Sequence, residues 1–345
     1  MNAPQTLRFD NNFHLLAEIG VNHEGDINTA KKMFQEAKSA GCHSVKLQAY
    51  KAENLVTRAA AAYWDTSKEE TKSQIELFRK YDRFSISDYI ELSDFAHSID
   101  LQFGLSIFNL EWIEPLSEVV DYFKIASADI TCTPLLEKIS RFNKPIILST
   151  GAATLKEIQT AVDTLTQNGN SDVTLLHCIL NYPTDLFDSN LKFLSNLRLN
   201  FPELRIGLSD HVAEIEFVRF SIARVFGASV IEKHFTNDKK LQGNDHYHSG
   251  SAEDFANILS IVKQTDLLMG SGEEILECEI PARQGARRSI VYSKDLALGE
   301  VIEFEHLLFK RPGIGVSPTQ YAAIVGKTLL QNVSADQLVQ LSDFT

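Results

Sequence analysis

Short apolar runs rich in β-branched residues recur along the chain, each followed by a stretch of helical period. They are FHLLAEIG (13–20), SVKLQAY (44–50), QFGLSIF (102–108), YFKIAS (122–127), PIILST (145–150), VTLLHCI (173–179), RIGLSD (205–210) and SVIEKHF (229–235). Runs this short, bounded by polar residues, read as buried strands. The segments between them are amphipathic. In NTAKKMFQEAKSAG (28–41), Ala30, Met33, Phe34 and Ala37 share one helical face and Gly41 stops the helix. TLKEIQTAVDTLTQNGN (154–170) opens on Thr154 with Glu157 three residues on, a capping-box pattern. Strands that alternate with helices pair in parallel through right-handed crossovers. Eight of them close the sheet, so the expected fold is an α/β (β/α)8 TIM barrel. A doubly wound open sheet is the alternative, but no glycine-rich phosphate loop follows the first strand.

Two stretches break the rhythm. Residues 51–101 leave room for a helix plus a long excursion, and TRAAAAYWDTSKEETKSQIELFRKYDRFS (57–85) within it is mostly polar and of helical period. Such an insertion either covers the barrel mouth or forms a peripheral hairpin. Past residue 270 the apolar periodicity ends. Residues 271–286 are expected to be a linker between a barrel domain (1–270) and a compact, mostly β domain (287–345).

Composition narrows the partners. With 44% apolar and 23% charged residues the 345-residue chain is ordinarily globular, and a net charge of −13 argues against nucleic acid or an anionic membrane surface. No apolar run approaches a bilayer span. The opening MNAPQTLRFDNN lacks a signal pattern. The four cysteines are widely spaced, without CxxC, and read as reduced thiols; a cytoplasmic location is therefore expected.

In a barrel of this type the carboxyl ends of the strands hold the chemistry. Those positions carry Glu18, Lys46, Gln48, Lys124, Ser127, Asp129, Ser149, Thr150, His177, Tyr182, Ser209, Asp210, His211, Glu232, His234 and Asp245. So many polar groups are hard to explain by packing alone, although any one could be a satisfied core residue; His177 is read that way. A buried lone ammonium is costly, so two lysines with several hydroxyls point to an anion with many oxygens. His211 and His234 end consecutive strands and could share a metal, or simply be strand-end histidines without one. Lys239, Lys240, His246 and His248 are read as solvated loop residues, with substrate contacts the alternative for the two histidines.

The motifs AEIGVNHEGD, VKLQAY, KIASAD, ILSTGA, LLHC…YPT, GLSDH and VIEKHFT, in this order, resemble the sialic acid (N-acetylneuraminate) synthase family. RRSIVYSKDLALGE…KRPGIGVSP resembles its C-terminal antifreeze-like (SAF) domain. The resemblance implies condensation of phosphoenolpyruvate with an N-acylated amino-sugar such as N-acetylmannosamine, giving a nonulosonic acid and phosphate. It implies a divalent metal, manganese or magnesium, on His211 and His234. It also implies a homodimer in which the SAF domain of one subunit caps the other's barrel. By the same resemblance, Lys46, Lys124, Ser127, Ser149 and Ser209 would hold phosphoenolpyruvate, with Gln48 and Tyr182 lining the pocket. Glu18, Asp129 and Lys124 would be catalytic, Asp245 would contact the sugar, and Arg311 would reach the acyl group of the partner's substrate. The chain departs from the family pattern at Asp129, where glutamate is usual, at Leu180–Asn181, and at Ile107–Phe108–Asn109. A pseudaminic or legionaminic acid synthase, taking a diacetamido-trideoxyhexose, would share the same barrel motifs. A non-catalytic sugar-phosphate binding protein is the reading from another class.

Overall fold

The computed structural model describes residue 7 and residues 12–344 apart from Asp65, Lys68, Glu214, Ile215 and Asn244. Most of the opening stretch discussed above lies outside the described residues. The chain forms two units, residues 1–270 and 271–345.

In the first unit, strands β1 (His14–Gly20), β2 (Ser44–Ala49), β3 (Gln102–Ile107), β4 (Tyr122–Ile125), β5 (Ile146–Ser149), β6 (Val173–Cys178), β7 (Arg205–Asp210) and β8 (Val230–His234) pair in chain order. All neighbours are parallel, and β1 meets β8 from His14↔Val230 to Glu18↔His234, which closes the barrel. The eight apolar runs are these eight strands.

Strand side chains alternate between barrel interior and helix layer. Leu15, Ala17, Val45, Leu47, Phe103, Leu105, Phe123 and Ile125 face outward into one large core with the helices. That core includes Ala30, Met33, Phe34 and Ala37 of the helix Ile27–Ser39, which Asp26 caps by accepting from Thr29 N at 2.6 Å. Helix Leu155–Gln167 begins with the expected reciprocal cap between Thr154 and Glu157. Inside the barrel, Leu16, Tyr122, Ile147, Leu176 and Val230 form a dry plug. A Cβ on Gly104 would lie 2.2 Å from Tyr122 Cζ, so only glycine lets that ring fill the interior. Above the plug the inward residues turn polar.

The excursion differs from its expectation. Ala52–Leu55 and Gln74–Tyr81 are helical, but the described residues between 57 and 73 are irregular, tied by an Ala61↔Ser73 bridge. The polar TSKEETK stretch offers no apolar face for a helix to bury.

Behind the interior, Asp210 faces outward and accepts from Arg219 Nε and Nη2 at 2.9 Å each and from Lys233 Nζ at 2.7 Å. All three are buried, and they join β7, β8 and the helix Val218–Val225. Burial raises the Asp210 pKa, but Lys233 and Arg219 outweigh it and hold the carboxyl below its ordinary value. Arg219→Ala is expected to cost about 3–5 kcal/mol, because it strips half the pairing from a buried charge. The melting temperature should fall by about 10 °C near pH 7. A depressed folded pKa means the stabilisation is complete above the unfolded value near 3.9 and is lost as pH falls through the folded one. The gap between variant and wild type should therefore narrow in acid, as calorimetry across pH would read.

The second unit pairs β9 (Ser289–Tyr292) antiparallel with β10 (Leu307–Lys310). Its separate core contains Ile290, Tyr292, Leu296, Ile302, Leu307, Leu329 and Val339, and Tyr292 donates to Asp343 at 2.9 Å. Residues 271–286, read as a linker, contain a single turn and the short exposed helix Ile280–Ala286. Among the described residues no helix is long and apolar enough to cross a membrane, and the four cysteines are free thiols.

Candidate active site

A cavity of about 530 Å³ opens at the carboxyl ends of the barrel strands. Alternation along each strand supplies its floor. Glu18, Lys46, Gln48, Ser106, Lys124, Ser149, Cys178, Ser209, Glu232 and His234 all line it. Their outward neighbours, such as Leu47, Ile125 and Leu208, lie in the core behind.

At one end sit the two ammonium groups. Lys46 is in ion-pair contact with Glu18 and donates to Ser106 Oγ at 3.3 Å. Lys124 donates to Ser149 Oγ at 2.7 Å and lies 3.7 Å from Glu232 Oε1, which accepts from Ser209 at 2.7 Å. Burial pulls the Lys46 pKa down to about 7, with Glu232 opposing and Lys124 reinforcing the shift. An anion bound there would restore the charge. Burial lifts Glu232, but Lys124 and Lys46 together hold it below the ordinary carboxyl value. Ser127 sits in the turn after β4, takes a hydrogen bond from Gly151 N at 2.9 Å and contacts Cys178.

Asp129 closes that same turn and is half-buried on the cavity wall. Burial raises its pKa to about 6, with Lys124 pulling the other way. If Asp129 takes part in turnover, the pH profile of kcat/KM should show a limb near pH 6, and Asp129→Asn should remove it.

The other end is aromatic and imidazole-rich. The Tyr182 ring is tilted against that of His211 with centroids 4.2 Å apart, and the His211 ring lies 5.5 Å from His234. His211 Nδ1 is 2.7 Å from Ile179 O, leaving Nε2 as its donor atom toward a ligand. The nitrogens and oxygens that could share one metal within 4.8 Å belong to His234, Asp245 and His248, with His211 beside them. His234 Nδ1 lies 3.4 Å from Asp245 Oδ2 without forming a hydrogen bond. Gly20 makes room here, since its φ of +55° and a Cβ 3.0 Å from Asp245 Oδ2 exclude a side chain. A divalent cation fits this end. A buried imidazole nitrogen lacks a partner, a carboxylate adjoins it, and two buried carboxylates (Glu18, Glu232) and the half-buried Asp245 share the chamber with two lysines.

The cavity thus gathers Glu18, Lys46, Gln48, Lys124, Ser127, Asp129, Ser149, Tyr182, Ser209, His211, His234 and Asp245. Arg311 is exposed in the second unit, after β10. His177 points outward, its Nε2 2.9 Å from Ser189 O and its ring 5.6 Å from Phe193, consistent with a core histidine. Leu180 and Phe108 line the cavity at two of the departures from the family pattern, while Asn109 is buried and accepts from Lys51 N at 3.1 Å. The expectation of solvated loop histidines fails. His246 and His248 are 2% and 0% exposed, because Asn22 binds both Phe235 O and Ser249 Oγ and draws their turn onto the barrel. Lys239 pairs with Asp254. Glu232 deserved a role from sequence, since it stands two residues before His234 and so shares its inward face. Cys178 and the excursion residues Leu55, Val56, Tyr63, Trp64, Leu77 and Phe78 also line the wall. No local pattern marks them.

Eight parallel strands closed into a ring, with a charged chamber at their carboxyl ends, are the arrangement of a TIM-barrel enzyme, here followed by a separate small β unit. Residues 33–274 match the NeuB family and residues 287–345 the SAF domain, and the chain belongs to the NeuB family. The N,N'-diacetyllegionaminic acid synthase of Legionella pneumophila is 37% identical over 329 residues, 93% of this chain and 91% of that protein. The N-acetylneuraminate-9-phosphate synthase of Drosophila melanogaster is 32% identical over 351 residues, 94% of each. The crystal structure of the N-acetylneuraminic acid (sialic acid) synthetase of Leptospira borgpetersenii in complex with citrate has a TM-score of 0.70 at 30% identity. It covers 78% of this chain and 90% of that one.

Proposed function

We propose that the protein condenses phosphoenolpyruvate with an N-acylated amino-sugar, N-acetylmannosamine or a relative, releasing phosphate and a nonulosonic acid. The observation that carries this reading is the pair of buried ammonium groups, Lys46 and Lys124, in one chamber with Ser149, Ser209 and the imidazole end. Lys46, Lys124, Ser127, Ser149 and Ser209, with Gln48, hold the carboxylate and phosphate of phosphoenolpyruvate. Tyr182 shapes the junction with the sugar, and Asp245 accepts from its hydroxyls. The methylene carbon forms a bond to the sugar's carbonyl carbon, whose oxygen takes up a proton. Cationic character then falls on the former enol carbon, next to the phosphate ester oxygen. Glu18 and Asp129 stabilise that charge or take a proton from the water that adds there. Cleavage of the carbon–oxygen bond releases phosphate, with its charge held by Lys46 and Lys124. A divalent cation on His211 and His234, manganese or magnesium, supplies polarisation of the acceptor carbonyl when bound.

The apolar part of the cavity lining supports a narrower reading of the acceptor. Leu55, Val56, Trp64, Leu77, Phe78 and Phe108 add apolar surface to the cavity lining, beside the polar Tyr63, Glu69 and Gln74. This favours an acceptor with deoxygenated carbons and a second acetamido group, as in the diacetamido-trideoxyhexoses, and accords with the Legionella relative's name. Incubating the protein with phosphoenolpyruvate, manganese and a panel of amino-sugars tests both levels. A nonulosonic acid product from any of them, identified by mass with equimolar phosphate, supports the reaction. Preference for N-acetylmannosamine over the diacetamido sugars would overturn the narrower choice, and no product from any sugar would overturn the reaction.

The second unit suits a cap over the barrel of a partner subunit in a cytoplasmic homodimer, with Arg311 donating to the acyl oxygen of the partner's substrate. Arg311→Ala is then expected to raise the acceptor KM about 10–100-fold, the loss of one charge-assisted hydrogen bond, and to leave that of phosphoenolpyruvate nearly unchanged. Equal losses for both substrates would count against the cross-subunit contact.

A further inference from the structure

We propose that His248 is an additional imidazole ligand of the site's cation, acting with His234 and one oxygen of Asp245, and that it shifts the site's preference toward nitrogen-loving metals. The inference rests on the cation site proposed above and adds a residue to it.

The two histidines of the turn His246–His248 show why. His246 is satisfied: its Nδ1 is 2.8 Å from Thr236 Oγ1 and its Nε2 3.4 Å from Glu24 Oε1. His248 is fully buried, and neither ring nitrogen has a hydrogen-bond partner. Asp245 Oδ1 lies 3.8 Å from its Nε2. Its ring is 4.7 Å from that of His234, 4.8 Å from Tyr247 and 5.6 Å from Tyr182. Packing among aromatic rings needs no nitrogen, and a phenyl ring would fill the place without burying two unpaired polar atoms. Donor atoms of His234, Asp245 and His248 already lie within 4.8 Å of one another, so one ion can reach all three. The turn is pinned, because Ser249, the next residue, donates to Asp245 O and accepts from Asn22. Sites richer in imidazole favour cobalt over manganese, since affinity rises along that series and nitrogen donors suit the later metals.

The test uses the full chain, stripped with a chelator and titrated with Co²⁺ and with Mn²⁺, read by calorimetry and by the visible absorption of bound Co²⁺. Wild type is expected to bind Co²⁺ more tightly than Mn²⁺. His248→Phe, which fills the space, and His248→Gln, whose amide oxygen is a poor Co²⁺ ligand, should each lose at least about 10-fold in Co²⁺ affinity. The Co²⁺ spectrum should change, and Mn²⁺ affinity should fall less. Circular dichroism identifies the variants that fold, and either one decides. Unchanged Co²⁺ affinity and spectrum in a folded His248 variant, with binding lost in His234→Ala, would overturn the role of His248 and leave the cation site standing. Binding that survives His234→Ala unchanged would overturn the cation site, and this inference with it.

Discussion

Lys124→Met is expected to lower kcat/KM for phosphoenolpyruvate by about 10³-fold, the scale of removing a preorganised charge from a water-poor site. Lys124 holds Ser149 at 2.7 Å and stands 3.7 Å from Glu232, so its loss removes a partner for the substrate's charge and also frees Glu232 from its nearest cation. With Lys46 and Ser209 left to oppose burial, the Glu232 pKa should rise from its depressed value. The sign is testable. Wild-type Glu232 ionises below the ordinary carboxyl value, and in the variant its ionisation moves to higher pH, so residual activity should recover as pH rises. Steady-state kinetics across pH would read both effects. Activity within a few-fold of wild type would show that the lysine end of the chamber does not bind the anion.

The second large effect is expected at the opposite end. His234→Ala should abolish metal-dependent turnover, and stripping wild type with a chelator should do the same, reversibly on adding manganese. His234 is buried at the end of β8, with an unpartnered Nδ1 and Asp245 at 3.4 Å. Its removal leaves that carboxylate near His248 without a cation to neutralise it. Melting temperature measured alongside would separate loss of the site from loss of the fold, because His234 lines the cavity and is not part of the apolar core. Wild-type turnover in the metal-free variant would remove the metal from the proposed chemistry.

The local chemistry of the chain was legible wherever a short window contains the cause. Each strand is a run too short for a helix and too apolar for a loop. The helix Leu155–Gln167 starts where Thr154 and Glu157 can cap each other, and the helix Ile27–Ser39 buries the four residues its period aligns. The count of strands implied closure, and closure with the strand polarity implied which ends hold the chemistry. Where the window misled, the missing term was burial. The excursion has helical period but no face to bury, and its described residues between 57 and 73 stay irregular. The DHYHS turn is polar enough to look solvated, yet Asn22, far upstream in sequence, hydrogen-bonds it down onto the barrel.

By itself, then, the sequence determined the alternation of strand and helix, the ring that eight strands close, the break after residue 270 and the set of polar side chains at the strand ends. Only the tertiary structure decided which of those groups share a chamber. It put Asp210 behind the wall with Arg219 and Lys233, and Glu232 in front of it between two lysines. It also left His248 buried with bare nitrogens beside His234. The reason is that propensity and period act over a few residues, whereas the field at a buried charge is set by neighbours dozens to hundreds of positions away, which become neighbours only when β1 pairs with β8.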